Sequence, residues 1–72
     1  MQETTKRERF KRLSTHRTNA VLKKLRVLGN CANRQAYEFT EEEIDKIFAM
    51  INEQVKATRV KFVFSKEREF QL

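Results

Sequence analysis

The chain has 72 residues, a net charge of +6, no proline and a single cysteine. A domain this short buries only about 60% of the surface that its unfolded chain exposes, so a partner or self-association is expected to complete the fold. One cysteine excludes an intrachain disulfide and a zinc site of several thiolates. Since no apolar run approaches a membrane span and the charged N-terminus does not resemble a signal peptide, we expect a cytoplasmic protein with no membrane partner.

The charge is distributed unevenly along the chain. Residues 1–35 carry ten Lys and Arg against two Glu, a net +8, whereas residues 36–58 carry two Lys against six acidic residues, a net −4. Residues 59–72 carry four basic residues against two acidic ones, a net +2. This asymmetry points to an anionic partner for the first third of the chain, either nucleic acid or an acidic protein surface.

The first predicted element is a basic helix over residues 6–28, preceded by residues 1–5, which have nothing to bury and are expected to fray. At about 100° per residue, several apolar side chains fall within about 60° of Phe10, namely Leu13, Val21, Leu25 and Leu28. Gly29 follows the last of them and suits a left-handed helix cap. Residues 29–40 then form a connection whose length requires internal order, with Tyr37 and Phe39 expected to fold back onto the core.

A helix start is predicted at Thr40, which together with Glu43 matches the capping box. Phe39 and Ile44 are spaced as the hydrophobic staple that accompanies such a cap. Helix 2 is predicted over residues 41–64, because its apolar side chains follow the spacing i, i+3, i+4, i+7, i+11: Ile44, Ile47, Phe48, Ile51 and Val55.

The C-terminal stretch has two interpretations. Residues 59–65 continue the helical stripe through Phe62, but they also contain β-branched and aromatic residues with partial alternation, which is typical of a strand. A lone strand would need a second molecule to pair with, so we prefer helix to about Phe64, followed by a tail over residues 65–72. Exposed aromatic side chains here would mark a protein interface, for which the candidates are Phe62, Phe64 and Phe70.

Together these elements predict one all-α domain over residues 1–72. It is an antiparallel hairpin of two long helices joined by an ordered loop of about ten residues, or a dimeric bundle of such hairpins. The acidic start of helix 2 would then lie near the basic end of helix 1 and neutralise it in part. Residues 6–17 would remain as the cleaner cationic patch.

The basic face of helix 1 is the main functional candidate. Arg12, Asn19, Lys23 and Arg26 share one side, with Arg9, His16 and Arg17 towards its flanks. Cations at such spacings can follow a phosphate backbone. The alternative is a face that is charged only because it is solvated. The full set of predicted nucleic-acid-binding residues is Lys6, Arg7, Arg9, Arg12, Arg17, Asn19, Lys23 and Arg26.

No residue cluster points to catalysis, a metal or a cofactor. His16 is the only histidine, and Cys31 is interpreted as a small packed residue. The acidic run Glu41-Glu42-Glu43 with Asp45 is explained by helix capping. The helices are too long and their connection too long for a helix-turn-helix, and no zinc-finger or RNA-recognition signature is present. We therefore expect no enzyme.

The stretch from Arg17 to Arg34, with Leu28-Gly29-Asn30-Cys31-Ala32-Asn33-Arg34 at its end, resembles a group of short bacterial proteins, as do the following residues 37–44 (Tyr-Glu-Phe-Thr-Glu-Glu-Glu-Ile) and 46–48 (Lys-Ile-Phe). These are similar to accessory reading frames of plasmids and other mobile elements, in which Ser and Tyr tend to occupy the positions of Ala32 and Phe39. The resemblance covers most of the chain and implies a bacterial or mobile-element setting and a defined loop conformation. It assigns no activity and no binding residues.

Two function hypotheses follow. The first is a small basic protein that binds the phosphate backbone of DNA or RNA through helix 1. The second is an interaction module, a subunit or inhibitor of a nucleic-acid-processing machine, whose basic helix docks on an acidic protein surface.

Overall fold

A computed structural model describes residues 5–64 of the chain. Helix α1 spans Lys6–Gly29, a short 3-10 helix spans Asn30–Ala32, and helix α2 spans Glu41–Arg59. Residues 5–64 contain no strand, so the all-α class is confirmed. The chain divides into two units, Met1–Glu38 with α1 and Phe39–Leu72 with α2.

The start of α1 is fixed by Thr5. Its Oγ1 accepts a hydrogen bond from the Glu8 amide at 3.0 Å, and its carbonyl accepts one from the Arg9 amide at 3.2 Å. These bonds satisfy backbone donors that have no partner inside the helix. Thr5 is therefore an ordered cap and not part of a frayed end; the remainder of that prediction, residues 1–4, lies outside the described residues.

The end of α1 differs from the prediction. Gly29 was expected to form a left-handed cap, but it has φ −59° and ψ −24°, which is ordinary helical backbone. The C-cap of the helix is Asn30, whose amide donates to the carbonyls of Val27 and Leu28. From Asn30 the chain continues as the 3-10 helix. A 3-10 turn satisfies the last helical carbonyls without a positive φ, so this helix end does not use glycine's special freedom.

Asn33 organises the connection that follows. Its side-chain Oδ1 accepts from the Gln35 amide at 3.0 Å, and its carbonyl accepts from the amides of Ala36 and Tyr37 at 3.1 and 2.9 Å. This is an Asx turn, in which an asparagine side chain mimics a backbone turn. The expectation that Tyr37 folds back onto a core is wrong, because 56% of its surface is exposed.

Helix α2 begins as the sequence predicts. Thr40 Oγ1 accepts from the Glu43 amide at 3.1 Å, and the Thr40 amide donates to Glu43 Oε1 at 2.8 Å, so the capping box is complete. Phe39 and Ile44, the two staple positions, are both half-buried while most of their neighbours are exposed.

The end of α2 lies earlier than predicted. The helix ends at Arg59, five residues before the expected boundary at Phe64, and residues 60–64 form neither the predicted helix nor the alternative strand. Two turn hydrogen bonds follow, from the Lys61 amide to Thr58 and from the Phe62 amide to Arg59. The β-branched and aromatic residues beyond Arg59 are weak helix formers, and exposed as they are they gain no packing that would extend the helix.

No residue between positions 5 and 64 is buried. Six are half-buried, namely Leu13, Ser14, Leu28, Phe39, Ile44 and Ile51. The apolar stripes of α1 and α2 thus retain much of their exposed surface, and exposed apolar surface of this kind marks an interaction site.

Candidate nucleic-acid interface

Helix α1 is one uninterrupted cationic rod. Its 24 residues carry nine Lys and Arg against one carboxylate, Glu8. At 1.5 Å per residue the helix is about 36 Å long. All nine basic side chains are exposed.

The uninterrupted helix places four of the predicted binding residues on one face. At about 100° per residue they fall within an arc of about 60°. Arg12 is the first of the four along the helix axis and Arg26 the last, and they are separated by about 21 Å. The four residues are Arg12, Asn19, Lys23 and Arg26; we refer to them as the basic face.

Two further side chains extend this face on one edge. Arg9 and His16 lie within about 40° of Lys23 around the helix axis. Both are exposed. The basic face together with this edge covers about 100° of the helix circumference.

Three predicted binding residues lie elsewhere on the helix. Arg17 falls about 20° from Phe10, and Lys6 and Arg7 fall within about 60° of it. They therefore project from the side of α1 that carries the apolar stripe, not from the basic face. Arg17 was expected towards the flank of the basic face, and it instead interrupts the row of apolar side chains between Phe10 and Val21.

The helix dipole separates the cations into two groups. Arg26 lies in the last turn of α1, where the negative end of the dipole favours a positive charge. Lys6, Arg7 and Arg9 lie in and next to the first turn, where the positive end disfavours one. Capping and dipole complementarity account for Glu8 in that turn but not for the cations around it.

The apolar side of α1 is open as well. Phe10 is 48% exposed and Val21 57%, while only Leu13 and Leu28 of this stripe are half-buried. An amphipathic helix with such a face can also lie in an apolar groove of another protein.

The predicted protein-interface residues are strongly exposed where the structure describes them. Phe62 lies in the turn after α2 with 61% of its surface exposed, and Phe64 is 86% exposed. Phe70 lies outside the described residues.

The remaining candidate groups do not assemble into a site. Cys31 has an exposed free thiol, so its interpretation as a packed residue is wrong. Within residues 5–64 no three metal-ligating side chains come together. In the same part of the chain, neither α1 nor α2 contains a stretch long and apolar enough to cross a membrane.

Comparison with family models, with curated proteins and with solved structures found no match to this chain.

Proposed function

We propose that this protein binds the phosphate backbone of a nucleic acid through α1. The observation that carries the proposal is the charge of that helix: nine exposed cations and one carboxylate in 24 residues. A helix of about 36 Å matches one turn of a DNA duplex, about 34–36 Å, over which the duplex carries a dense row of phosphates.

The cations near the start of α1 support binding over simple solvation. Lys6, Arg7 and Arg9 oppose the helix dipole, so they cost helix stability in the isolated protein. Residues that break a local rule of folding concentrate at functional sites. An arriving phosphate would reverse this cost, because anions are favoured at a helix N-terminus.

Within the basic face, the cations and Asn19 have different roles. Arg12, Lys23 and Arg26, with Arg9 at the edge, would contact phosphates and so set affinity and salt dependence. Asn19 lies between them and has the side-chain amide that pairs with adenine edges. Most of the binding energy is therefore expected to be independent of sequence.

Fluorescence anisotropy with labelled duplex and single-stranded oligonucleotides tests the proposal. If α1 neutralises about four phosphates of a duplex, the logarithm of the binding constant falls against the logarithm of salt concentration with a slope of about −4. Lys23→Gln with Arg26→Gln should reduce the magnitude of that slope by about 2. No binding at low salt to any of DNA or RNA would overturn the proposal.

A matched control distinguishes the contribution of the basic face to binding from the contribution of the protein's net charge. Lys24→Gln with Lys46→Gln removes the same charge, but Lys24 projects from the apolar side of α1 and Lys46 lies on α2. The slope of this control should stay close to that of the unmodified protein. Equal losses in both variants would mean that only overall charge, and not the basic face, attracts the polyanion.

The second function has one observation in its favour, the exposed apolar side of α1. A helix with cations on one face and open Phe10, Val21 and Leu25 on the other also suits a groove in an acidic protein. In that case the protein acts as a subunit or inhibitor of a nucleic-acid-processing machine. It would co-purify with one protein partner, and removing Phe10 would weaken that complex more than removing Arg26.

The proposal extends to the arrangement of the helices. An antiparallel hairpin doubled into a dimeric bundle would cover the apolar stripes of α1 and α2, because each helix of such a bundle packs against more than one neighbour, and it would bring the acidic start of α2 towards the basic end of α1. The pattern that supports it is the single apolar stripe on each helix. Long-range nuclear Overhauser effects between Leu25 and Ile47 would test this pairing, and a complete set of assignments without such effects would reject it.

A further inference from the structure

The described part of unit Phe39–Leu72 carries an apolar stripe with no charged residue in it. Along α2 the stripe consists of Ile44, Ile47, Phe48, Ile51 and Val55, and at about 100° per residue it occupies an arc of about 100°. Ile47 is 39% exposed, Phe48 45% and Val55 56%. The equivalent stripe of α1 is interrupted by Arg17 and Lys24, so α2 offers the better apolar surface.

Apart from Phe48, whose counterpart three residues after Ile51 is Gln54, the stripe is symmetric about Ile51 once Thr58 is included. Ile47 and Ile44 lie four and seven residues before it, and Val55 and Thr58 lie four and seven residues after it. Thr58 fits an apolar surface because its hydroxyl is already bonded within the helix, donating to the Gln54 carbonyl at 2.8 Å. A surface that is symmetric about one residue can contact a second copy of itself across a two-fold axis.

The charges of α2, unlike its apolar stripe, change sign from one end of the helix to the other. Acidic residues lie in its first turns, namely Glu41, Glu42, Glu43 and Asp45, and basic residues lie towards and just beyond its end, namely Lys56, Arg59 and Lys61. When two such helices run antiparallel, the acidic end of each lies beside the basic end of the other, and their dipoles oppose favourably. When they run parallel, like charges meet.

The geometry points to a second copy of this chain as the occupant of the stripe: we propose an antiparallel α2–α2 dimer with its two-fold axis at Ile51. Glu41 and Arg59 lie on the same side of the stripe, each about 80° around from Ile51. In the dimer Glu41 of one copy is level with Arg59 of the other to within about 3 Å along the axis.

The interface of this dimer does not use the basic face of α1. The assembly therefore presents two basic faces, one from each copy. It does not depend on nucleic-acid binding by α1. Self-pairing of α1 would instead set two helices of net charge +8 against each other, which their repulsion disfavours.

Disulfide trapping in the full chain tests the axis. In a Cys31→Ser background, Ile51→Cys places one thiol at the two-fold axis of the proposed dimer, so oxidation in a glutathione buffer should yield a covalent dimer on a non-reducing gel. Glu53→Cys provides the matched control, because residue 53 lies on the outer side of α2, about 160° from Ile51. Equal cross-linking of both variants, or of neither, would overturn the proposed axis.

Charge reversal tests the antiparallel direction without altering the stripe. In sedimentation equilibrium, Glu41→Lys or Arg59→Glu alone should raise the dimer dissociation constant about tenfold, because each creates two repulsive pairs. The double variant should restore dimerisation. If the chain did not dimerise, each substitution would only oppose the dipole of its own helix. The double variant would then have the lowest helix stability of the three variants.

The oligomeric state of the unmodified chain decides between occupants. A dimer over the micromolar range, with rescue by the double reversal, is the expected result. A monomer over that range would overturn the proposal, since the stripe would then be covered by α1 of the same chain or by a different protein. A dimer that neither charge reversal weakens would also overturn it, since parallel helices leave Glu41 and Arg59 apart.

Discussion

Thr40 and Glu43 hold each other at the start of α2. The Thr40 amide donates to Glu43 Oε1 at 2.8 Å, and the Glu43 amide donates to Thr40 Oγ1 at 3.1 Å. Two backbone donors that would otherwise lack partners are thus satisfied by the two side chains. This reciprocal contact makes Glu41 the first residue of α2.

Thr40→Ala should therefore shorten α2 at its N-terminus. The expected loss of unfolding free energy is about 1 kcal/mol, the typical cost of removing a threonine cap. Urea unfolding followed by far-UV circular dichroism measures it. Glu43→Gln is the matched control, because glutamine can also accept from the Thr40 amide; a loss as large in this variant would indicate that charge rather than capping stabilises the helix start.

Gly29→Ala should stabilise α1. Gly29 has helical φ and ψ, and a Cβ built on it meets nothing within 4 Å. Alanine costs less backbone entropy than glycine in such a position, so the free energy of unfolding should rise by about 0.5–1 kcal/mol. Thermal unfolding by circular dichroism measures the change. Destabilisation would show that Gly29 adopts a left-handed conformation in solution.

Asn33→Ala should loosen the turn between residues 33 and 37. The substitution removes the Oδ1 that accepts from the Gln35 amide at 3.0 Å but leaves the Asn33 carbonyl in place. Hydrogen exchange by NMR should become faster at Gln35 and change less at Tyr37, whose amide is bound by that carbonyl. Asn33→Asp keeps the acceptor and should preserve the protection of Gln35; equal loss in both variants would reject the Asx turn.

Local signals in the sequence predicted the helix starts better than the helix ends. The Thr40–Glu43 capping box was recognised, and the same Thr-x-x-Glu spacing at Thr5 and Glu8 could have identified the cap of α1 in the same way. Helix ends depend on how the chain continues. Gly29 was consistent with two different cap conformations, and beyond Arg59 the stripe periodicity persisted while the propensity to form a helix fell.

The candidate site was predictable only as far as helix geometry determines it. Once α1 is continuous, periodicity alone brings Arg12, Asn19, Lys23 and Arg26 together. The same periodicity places Arg17 beside the apolar stripe, which net charge over a segment does not reveal. The exposure of that stripe could not be predicted, since burial depends on contacts between elements and not on their spacing.

Glu8→Gln should strengthen nucleic-acid binding by α1. Glu8 is the only carboxylate in the helix, and it lies on the same face as Arg12, four residues before it. At this spacing a carboxylate attracts the guanidinium and would compete with phosphate for it. Its capping contact with Thr5 uses the backbone amide, so the substitution keeps the cap. We expect an increase in affinity of about twofold at low salt, consistent with the energy of a helical ion pair.

Anisotropy titration of Glu8→Gln beside Glu53→Gln measures this effect. Glu53 lies on the outer side of α2, so its substitution changes net charge equally without freeing a cation of the basic face. Circular dichroism must show equal helix content in both variants, because Glu8 also favours the positive end of the α1 dipole. If Glu53→Gln strengthens binding as much as Glu8→Gln, attraction acts through the whole charge of the protein, and the basic face of α1 has no special role.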